Sequence, residues 1–462
     1  MSQSDVVAVE IFDDLKNYLF SNNLGHDLAG NIIGLFFHDL MVHFTGILIH
    51  RDAKEEYGKE IDFPFVNMTY SKIPFEIENF KILEPKSRSL VKQIKRSSLL
   101  PFGVGQAIPM SLGRDRIEKT LLSILGCSHD FTTAYIVRRS EQIKILFDVI
   151  EELCKKYSIS NHDQIIKNWS RYAELHTTSQ QRLLHQNAVI LGTRCQMQNR
   201  KLAVNYLQQG KEVLGMTHGE ASNAIFDEPI FGYADCSYCT TLIDYGSDRG
   251  FGELNRPLIE PKRVIYRTSR IVRKVSSEAV DNREILLDSP RLLYIPTMYS
   301  ANKLYGPFRN FEDAVYRDWQ KLLISLFPNV TVKIHPKSLA NWNYKCRVES
   351  RNLITCISEY EGILLDYCST AATIAFSTDR PIIYFDLGLR NLTAEYKQDI
   401  KQRCQYIDIS NIEDSNDLLR EKILYKLRNQ EKKINSQMLK YSIAEDNQEG
   451  IFSNLYRLLK RL

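Results

Sequence analysis

The sequence predicts an α/β protein: two Rossmann-like doubly wound domains facing across a cleft, with a helical elaboration at the N-terminal end. Three observations predict it. Leu183–Leu191, Arg194–Gln209 and Lys211–Thr217 read as strand, helix and strand, with Gly210 closing the helix; this is a β-α-β unit and implies a parallel sheet. A second alternating series starts at Arg291 and runs to Phe385. The composition, 44% hydrophobic and 25% charged over 462 residues, is that of a globular chain of two or three domains, and it excludes disorder or a coiled coil for the bulk of the protein.

Taken in order, residues 1–180 read as mostly helical. Phe12–Phe20 and Gly30–Ile49 carry helical periodicity, and Gln142–Tyr157 is strongly amphipathic. Asn31–Ile49 is the most apolar stretch. It holds His38, Asp39 and His43, and an Asp at the centre of a bilayer costs about 3 kcal/mol, so a buried helix is expected rather than a spanning one. Pro74, Pro85, Pro101 and Pro109 mark a loop-rich zone, with a basic cluster at Lys86, Arg88, Lys92, Lys95 and Arg96 that reads as a solvated face. Ala234–Asp244 reads as a further strand. Residues 251–288, with Pro257, Pro261 and a basic run from Lys262 to Lys274, read as a connector. The second series follows: strand Arg291–Pro296, helix Phe311–Phe327, strand Val330–Ile334, short buried strand Gly362–Leu365, a helix opening at Ser369, strand Pro381–Phe385 and a sheet edge at Gln405–Ile409. The chain from Asn416 onward reads as helical. The expected domains are 1–250, with βα units at 183–246, then 289–430, and closing helices at 431–462.

Charge limits the partners. Sixty Lys and Arg against 56 Asp and Glu give a net charge of +4, too balanced for a protein that neutralises many nucleic-acid phosphates. Anion binding is expected at a local site. Nine irregularly spaced cysteines do not form a disulfide framework, and they fit a reducing cytoplasm. Cys236 and Cys239 form a lone C-x-x-C. Without a second pair or nearby histidines it reads as two small residues in a strand rather than a zinc site. Met1–Val9 has no basic segment followed by an apolar core, which is consistent with a cytoplasmic protein.

In doubly wound sheets, ligands bind at the carboxyl ends of the strands, so residues that follow strands carry the chemistry. Four such segments stand out. Thr217-His218-Gly219-Glu220 offers a general acid or phosphate donor beside a flexible glycine. Pro296-Thr297-Met298-Tyr299-Ser300 clusters hydroxyls suited to a phosphate or ribose. Lys333-Ile334-His335-Pro336 places two cation-capable side chains at a strand end, where a His can donate to a phosphate or protonate a leaving group. Asp366-Tyr367-Cys368-Ser369-Thr370 sets two hydroxyls where a helix begins. Phosphate binds readily at such starts, although Ser and Thr are also the ordinary caps.

These motifs resemble bacterial surface-carbohydrate glycosyltransferases of the GT-B architecture. The shared elements are His218-Gly219, His335-Pro336, the D-Y-x-S-T segment Asp366–Thr370, and the strand Arg380–Phe385 after it. Two groups share this outline: CMP-sugar users, namely sialyltransferases and retaining β-Kdo transferases, and the CDP-glycerol polyol-phosphate transferases of teichoic acid assembly. Tyr294–Ser300, Trp319 and Asp235 are closer to the β-Kdo-transferase type. Thr217 stands where that family has Gln or Trp, and Glu220-Ala221-Ser222 stand where relatives carry more glycines. The resemblance covers residues 183–415.

The resemblance implies a metal-independent transferase with a nucleotide-sugar donor, most of all a CMP-activated ulosonic acid such as Kdo, and no cofactor. It implies a glycan or lipid-linked glycan acceptor, with peripheral association at the inner face of the cytoplasmic membrane. Tyr299, Ser300, Lys333, His335, Pro336, Asp366, Ser369 and Thr370 would hold the nucleotide. His218 and a carboxylate among Glu220, Asp227 and Asp235 would do the chemistry. The alternatives are a CDP-glycerol-type glycerophosphotransferase and a non-catalytic peripheral protein of a carbohydrate-assembly complex. Residues 1–180 and the basic tail Tyr456–Leu462 motivate the latter.

Overall fold

The computed structural model describes residues 3–22, 32–57, 63–67, 71–75, 108–111, 127–129, 140–160, 162–178, 186–194, 197–217, 225–227, 232–247, 250–277, 290–296, 313–335, 346–388, 390–409, 415–429 and 436–444. The first half holds helices α1 (Gln3–Ser21), α2 (Ile32–Tyr57), α3 (Ser140–Lys156), α4 (His162–His176), α5 (Met197–Gln208) and α6 (Arg270–Ser277). Its strands are β1 (Phe63–Asn67), β2 (Ser71–Phe75), β3 (Ile108–Ser111), β4 (Cys127–His129), β5 (Ala188–Leu191), β6 (Glu212–Met216), β7 (Thr241–Tyr245) and β8 (Arg263–Arg267). The second half holds strands β9 (Leu292–Ile295), β10 (Thr331–Val332), β11 (Arg347–Val348), β12 (Gly362–Leu365), β13 (Ile382–Asp386) and β14 (Gln405–Asp408). Around them lie α7 (Asp313–Leu326), α8 (Leu353–Cys356), α9 (Thr370–Phe376), α10 (Ala394–Arg403), α11 (Asn416–Asn429) and α12 (Ser436–Leu439).

Two six-stranded parallel sheets result, ordered β4-β3-β5-β6-β7-β8 and β11-β10-β9-β12-β13-β14; β1 and β2 form a separate antiparallel pair. Strands buried on both faces read as continuous apolar runs, as in the wholly buried Ala188-Val-Ile-Leu191 and Gly362-Ile-Leu-Leu365. Each Val, Ile or Leu side chain sealed this way contributes about 1.5–3 kcal/mol.

The helical portion is not a separate body. Phe36, Phe37, Leu40 and Phe44 of α2 share one core with Leu15 of α1, Ile150 of α3, Trp169 of α4, and Val189, Val213 and Leu242 on one face of the first sheet. The α2 helix is buried, as expected from its apolar stretch, and among the described residues no helix is long and apolar enough to cross a membrane. The helices α1–α4 therefore act as one covering layer of a doubly wound domain.

The domains touch through segments that leave the carboxyl ends of their strands. Ile225–Asp227 lies beyond β6 and pairs with Asn391–Thr393 beyond β13. Phe226 bridges Leu392, the Asp227 amide donates to the Asn391 carbonyl (2.9 Å), and the Thr393 amide donates to Ile225 (2.9 Å). After α12 the chain returns across the junction. The Ser247 amide donates to the Lys440 carbonyl (3.1 Å), Ser269 to Ser442 (2.7 Å), and Tyr441 donates to Asp399 of α10 (2.6 Å). The two carboxyl edges thus lie toward each other, the GT-B-like arrangement expected.

Three expectations are corrected. The first sheet begins before residue 183, because β3 and β4 lie within the portion read as mostly helical. They are three or four residues long, too short to show alternation. Residues 251–288 are not a plain connector, because β8 is the edge strand of the first sheet and α6 follows it. Arg263 and Arg267 at its ends, the kind of charge that edge strands carry, hid it. The strand expected over Ala234–Asp244 starts only at Thr241. Gly232–Cys236 form a π-helical turn, and Tyr238 takes a left-handed conformation at φ 61°. Of the closing helices, α12 is four residues long; the basic tail Tyr456–Leu462 lies outside the described residues, as does the basic cluster Lys86–Arg96.

Candidate nucleotide site at the carboxyl edge of the second sheet

Numbered along the chain, the strands of the second sheet run 3-2-1-4-5-6. In that order the connections reverse between strands 1 and 4, and the crevice opened there is where such sheets take a ligand. Here those strands are β9 and β12, which pair directly. Pro296 follows β9, Asp366–Thr370 follows β12, and His335 lies just beyond β10 on the other side of β9. The structure brings these three strand ends to one edge.

Their side chains differ in availability. Asp366 is 1% exposed, and the buried Tyr294 hydroxyl donates to its Oδ2, tying β9 to β12 across the switch point. Asp366 is therefore a positioning group. Ser369 is the N-cap of α9, and its Oγ accepts from the Ala371 amide (3.2 Å). Thr370 is exposed at the first position of α9, and His335 is half-buried. Lys333 turns away from a ligand role: its Nζ donates to the Glu349 carbonyl (3.2 Å) and the Arg351 carbonyl (2.6 Å), stitching the edge strand β11 to β10. Between these groups, burial pushes the Cys368 thiol up to about 12, so it is inert.

On the first domain, two of the three candidate carboxylates have structural placements. Asp227 is half-buried, and its Oδ1 accepts from the Leu254 amide (2.7 Å) and the Asn255 amide (3.0 Å). The Asn391 side chain donates to its carbonyl (2.7 Å). Asp235 is 1% exposed inside the π-helical turn. His218, Glu220, Tyr299, Ser300 and Pro336 lie outside the described residues. Both ends of the chain segment carrying His218 and Glu220 are fixed, however. Thr217 donates to Asp244 Oδ1 (2.8 Å), and Ile225 begins the bridge to the second domain.

Cys236 and Cys239 are buried. Cys239 Sγ donates to the Cys236 carbonyl (3.2 Å), and burial raises both thiols. Arg194 at 0% exposure fills the space beside them. It donates to the carbonyls of Gly192 (3.0 Å), Met216 (3.0 Å) and Ser237 (3.3 Å), locking the ends of β5 and β6 to the π-helical turn.

Two residues at this junction escaped the sequence reading. Arg390 follows β13 and donates from Nη1 to the Tyr367 hydroxyl (2.9 Å) inside the Asp366–Thr370 segment. Asp244, 6% exposed at the end of β7, holds Thr217. The signal for Arg390 was present: it is a polar residue following a strand, and the same rule applied to β13 finds it.

No family model matches the chain, and no curated protein matches it. Among solved structures, it is similar to the UDP-GlcNAc 2-epimerase of Methanocaldococcus jannaschii, at 13% identity over 75% of this chain and 88% of that one, with a TM-score of 0.34. It is similar to KpsC of Thermosulfurimonas dismutans, a β-Kdo 2,4 transferase, at 12% identity over 37% of this chain and 53% of that one, with a TM-score of 0.21. It is similar to the wall teichoic acid polymerase TagF, at 10% identity over 64% of this chain and 76% of that one, with a TM-score of 0.32. At these values the likeness bears on neither activity nor substrate, and the fold class rests on the strand order itself.

Proposed function

We propose that the protein is a glycosyltransferase that takes a cytidine-nucleotide donor, a CMP-activated ulosonic acid such as Kdo, at the carboxyl edge of the second sheet. One observation carries this reading. The strand-end motifs singled out for the nucleotide, His335 and Asp366–Thr370, converge on the switch point of a sheet with the dinucleotide-binding strand order. His335 and the Ser369-Thr370 helix start bind the phosphate of the leaving CMP, where neutralising charge stabilises the transition state. An acceptor hydroxyl oxygen bonds to the anomeric carbon as the bond from that carbon to the phosphate oxygen breaks. CMP leaves with the electron pair, and a base takes the hydroxyl proton. Asp227 spends an oxygen on two amides and Asp235 is buried, so Glu220, with His218, is the favoured carboxylate. The surface-polysaccharide setting, a lipid-linked acceptor and a place at the inner membrane face follow from the motif resemblance and belong to this proposal.

Thermal denaturation with CMP, CDP and UDP- and GDP-sugars tests the donor. CMP is expected to raise the melting temperature. Silence with CMP while a UDP- or GDP-sugar stabilises the protein overturns the reading, and stabilisation by CDP-glycerol alone moves it to polyol-phosphate transfer. His335→Ala and Ser369→Ala are expected to abolish turnover with the fold retained.

A further inference from the structure

Arg390 joins two groups of contacts that the strand-end motifs do not explain. The first lies within the second domain. Asp366–Thr370 leads from β12 to α9, and two of its side chains are sealed into that domain: the buried Tyr294 donates to Asp366, and Cys368 is 1% exposed. Tyr367 between them is only half-buried. Its hydroxyl accepts from Arg390 Nη1 at 2.9 Å.

The second group crosses to the first domain. Gly388, at φ 68°, turns the chain out of β13, and its amide donates to Asp386 Oδ1 (2.9 Å). Beyond it, Asn391–Thr393 is paired with Ile225–Asp227 through two backbone hydrogen bonds of 2.9 Å, and the Asn391 side chain donates to the Asp227 carbonyl (2.7 Å). The Arg390 guanidinium carbon lies 3.9 Å from the ring centroid of Phe226 and 5.4 Å from that of Tyr367. One cation thus has an aromatic ring of each domain as its neighbour. Phe226 is 6% exposed, and a cation–π contact strengthens as water is excluded. A planar guanidinium that stacks on one ring while hydrogen-bonding a second residue has little freedom to serve either alone. The place of Phe226 therefore fixes the direction in which Arg390 holds Tyr367.

We propose that Arg390 is a positioning residue through which the first domain sets nucleotide affinity at the carboxyl edge of the second sheet. Phe226 orients Arg390, Arg390 orients Tyr367, and Tyr367 sets the Asp366–Thr370 segment beside the switch point. The proposal rests on the reading that a nucleotide binds at this edge, but not on which nucleotide. By linkage the effect is reciprocal: a nucleotide that favours this arrangement tightens the contact between the domains by the same factor.

Isothermal titration of the full chain with CMP, UDP and GDP tests it, with melting temperatures confirming that each variant is folded. Phe226→Leu keeps an apolar side chain but removes the ring face, and it is expected to weaken nucleotide binding about fivefold or more. Phe226→Tyr restores a face and is expected to bind as the wild type does. Tyr367→Phe removes the hydroxyl and cuts the relay, so Phe226→Leu should cost no further affinity in that background. A stack that serves stability alone would lower the melting temperature of Phe226→Leu and leave its affinity unchanged, which overturns the proposal. An equal loss in both backgrounds overturns it too, and in either case CMP binding by the wild type leaves the donor reading standing. Binding of UDP or GDP in place of CMP, with the Phe226 effect present, overturns the cytidine donor and supports the relay. A wild type that binds none of the three overturns both.

Discussion

The Arg390 guanidinium lies 3.9 Å from the ring centroid of Phe226, and these two residues belong to different domains. The same guanidinium donates to Tyr367, so one side chain links the first domain to the strand-end segment at the carboxyl edge of the second sheet. A cation over an aromatic face contributes about 0.5–2 kcal/mol, more as it is desolvated. Phe226→Leu and Arg390→Met are expected to show a coupling in that range in a double-mutant cycle followed by urea unfolding. Additive losses would mean that the stack does not hold the domains together.

Ser369 separates a structural role from a chemical one. As the cap of α9 its loss in Ser369→Ala should cost about 1 kcal/mol. Aspartate caps as well as serine but sets a negative charge where the donor phosphate is proposed to sit. Ser369→Asp is therefore expected to keep the melting temperature of the wild type and to lose stabilisation by CMP. Retained CMP stabilisation in Ser369→Asp would move the phosphate elsewhere.

The elements legible in the sequence were those whose pattern is local. Gly362–Leu365 and Pro381–Phe385 are buried on both faces and read as unbroken apolar runs, and the amphipathic stripe of α3 declares itself through Leu146, Val149, Ile150 and Leu153. The edge strand β8 was hidden because Arg263 and Arg267 look like linker charge, and β3 and β4 because three or four residues carry no period. The strand ends were found as segments, but their roles were not. That Lys333 binds carbonyls and Asp227 holds a loop depends on partners 16 to 28 residues away in sequence.

Gly215 is fixed by a contact of this remote kind. A Cβ there would stand 2.5 Å from the Arg194 guanidinium carbon, and Arg194 is wholly buried with three carbonyls accepting from it. The added methyl must displace the guanidinium and strand those carbonyls. A hydrogen bond to a charged group is worth about 1.5–3 kcal/mol, so Gly215→Ala should destabilise by about 3 kcal/mol or more. The midpoint of urea unfolding measures it, and a change below about 1 kcal/mol would show that Arg194 can move without loss.

Three histidines in the helical layer should make stability fall in mild acid. Burial, with the Arg200 guanidinium beside it, holds His38 at about 4; burial holds His43 at about 3; burial, then Lys201, holds His176 at about 3. In the unfolded chain each returns to its ordinary value of about 6.5, so between that pH and the folded value only the unfolded state binds the proton. Stability is then full above about pH 6.5 and declines as pH falls, by up to about 1.4 kcal/mol per pH unit for each histidine. Asp39 acts in a lower window. Burial alone would raise it, but Arg200, donating at 2.8 Å to both carboxylate oxygens, outweighs burial and holds it at about 2. Its contribution is lost only as pH drops below the ordinary carboxylate range toward that value. His43 provides the check, because its Nδ1 accepts from the Trp169 indole (2.9 Å) and cannot do so once protonated. His43→Asn keeps an acceptor and removes the titrating ring. Urea midpoints between pH 7.5 and 4.5 are expected to fall less steeply in this variant than in the wild type, and parallel slopes would remove His43 from the acid sensitivity.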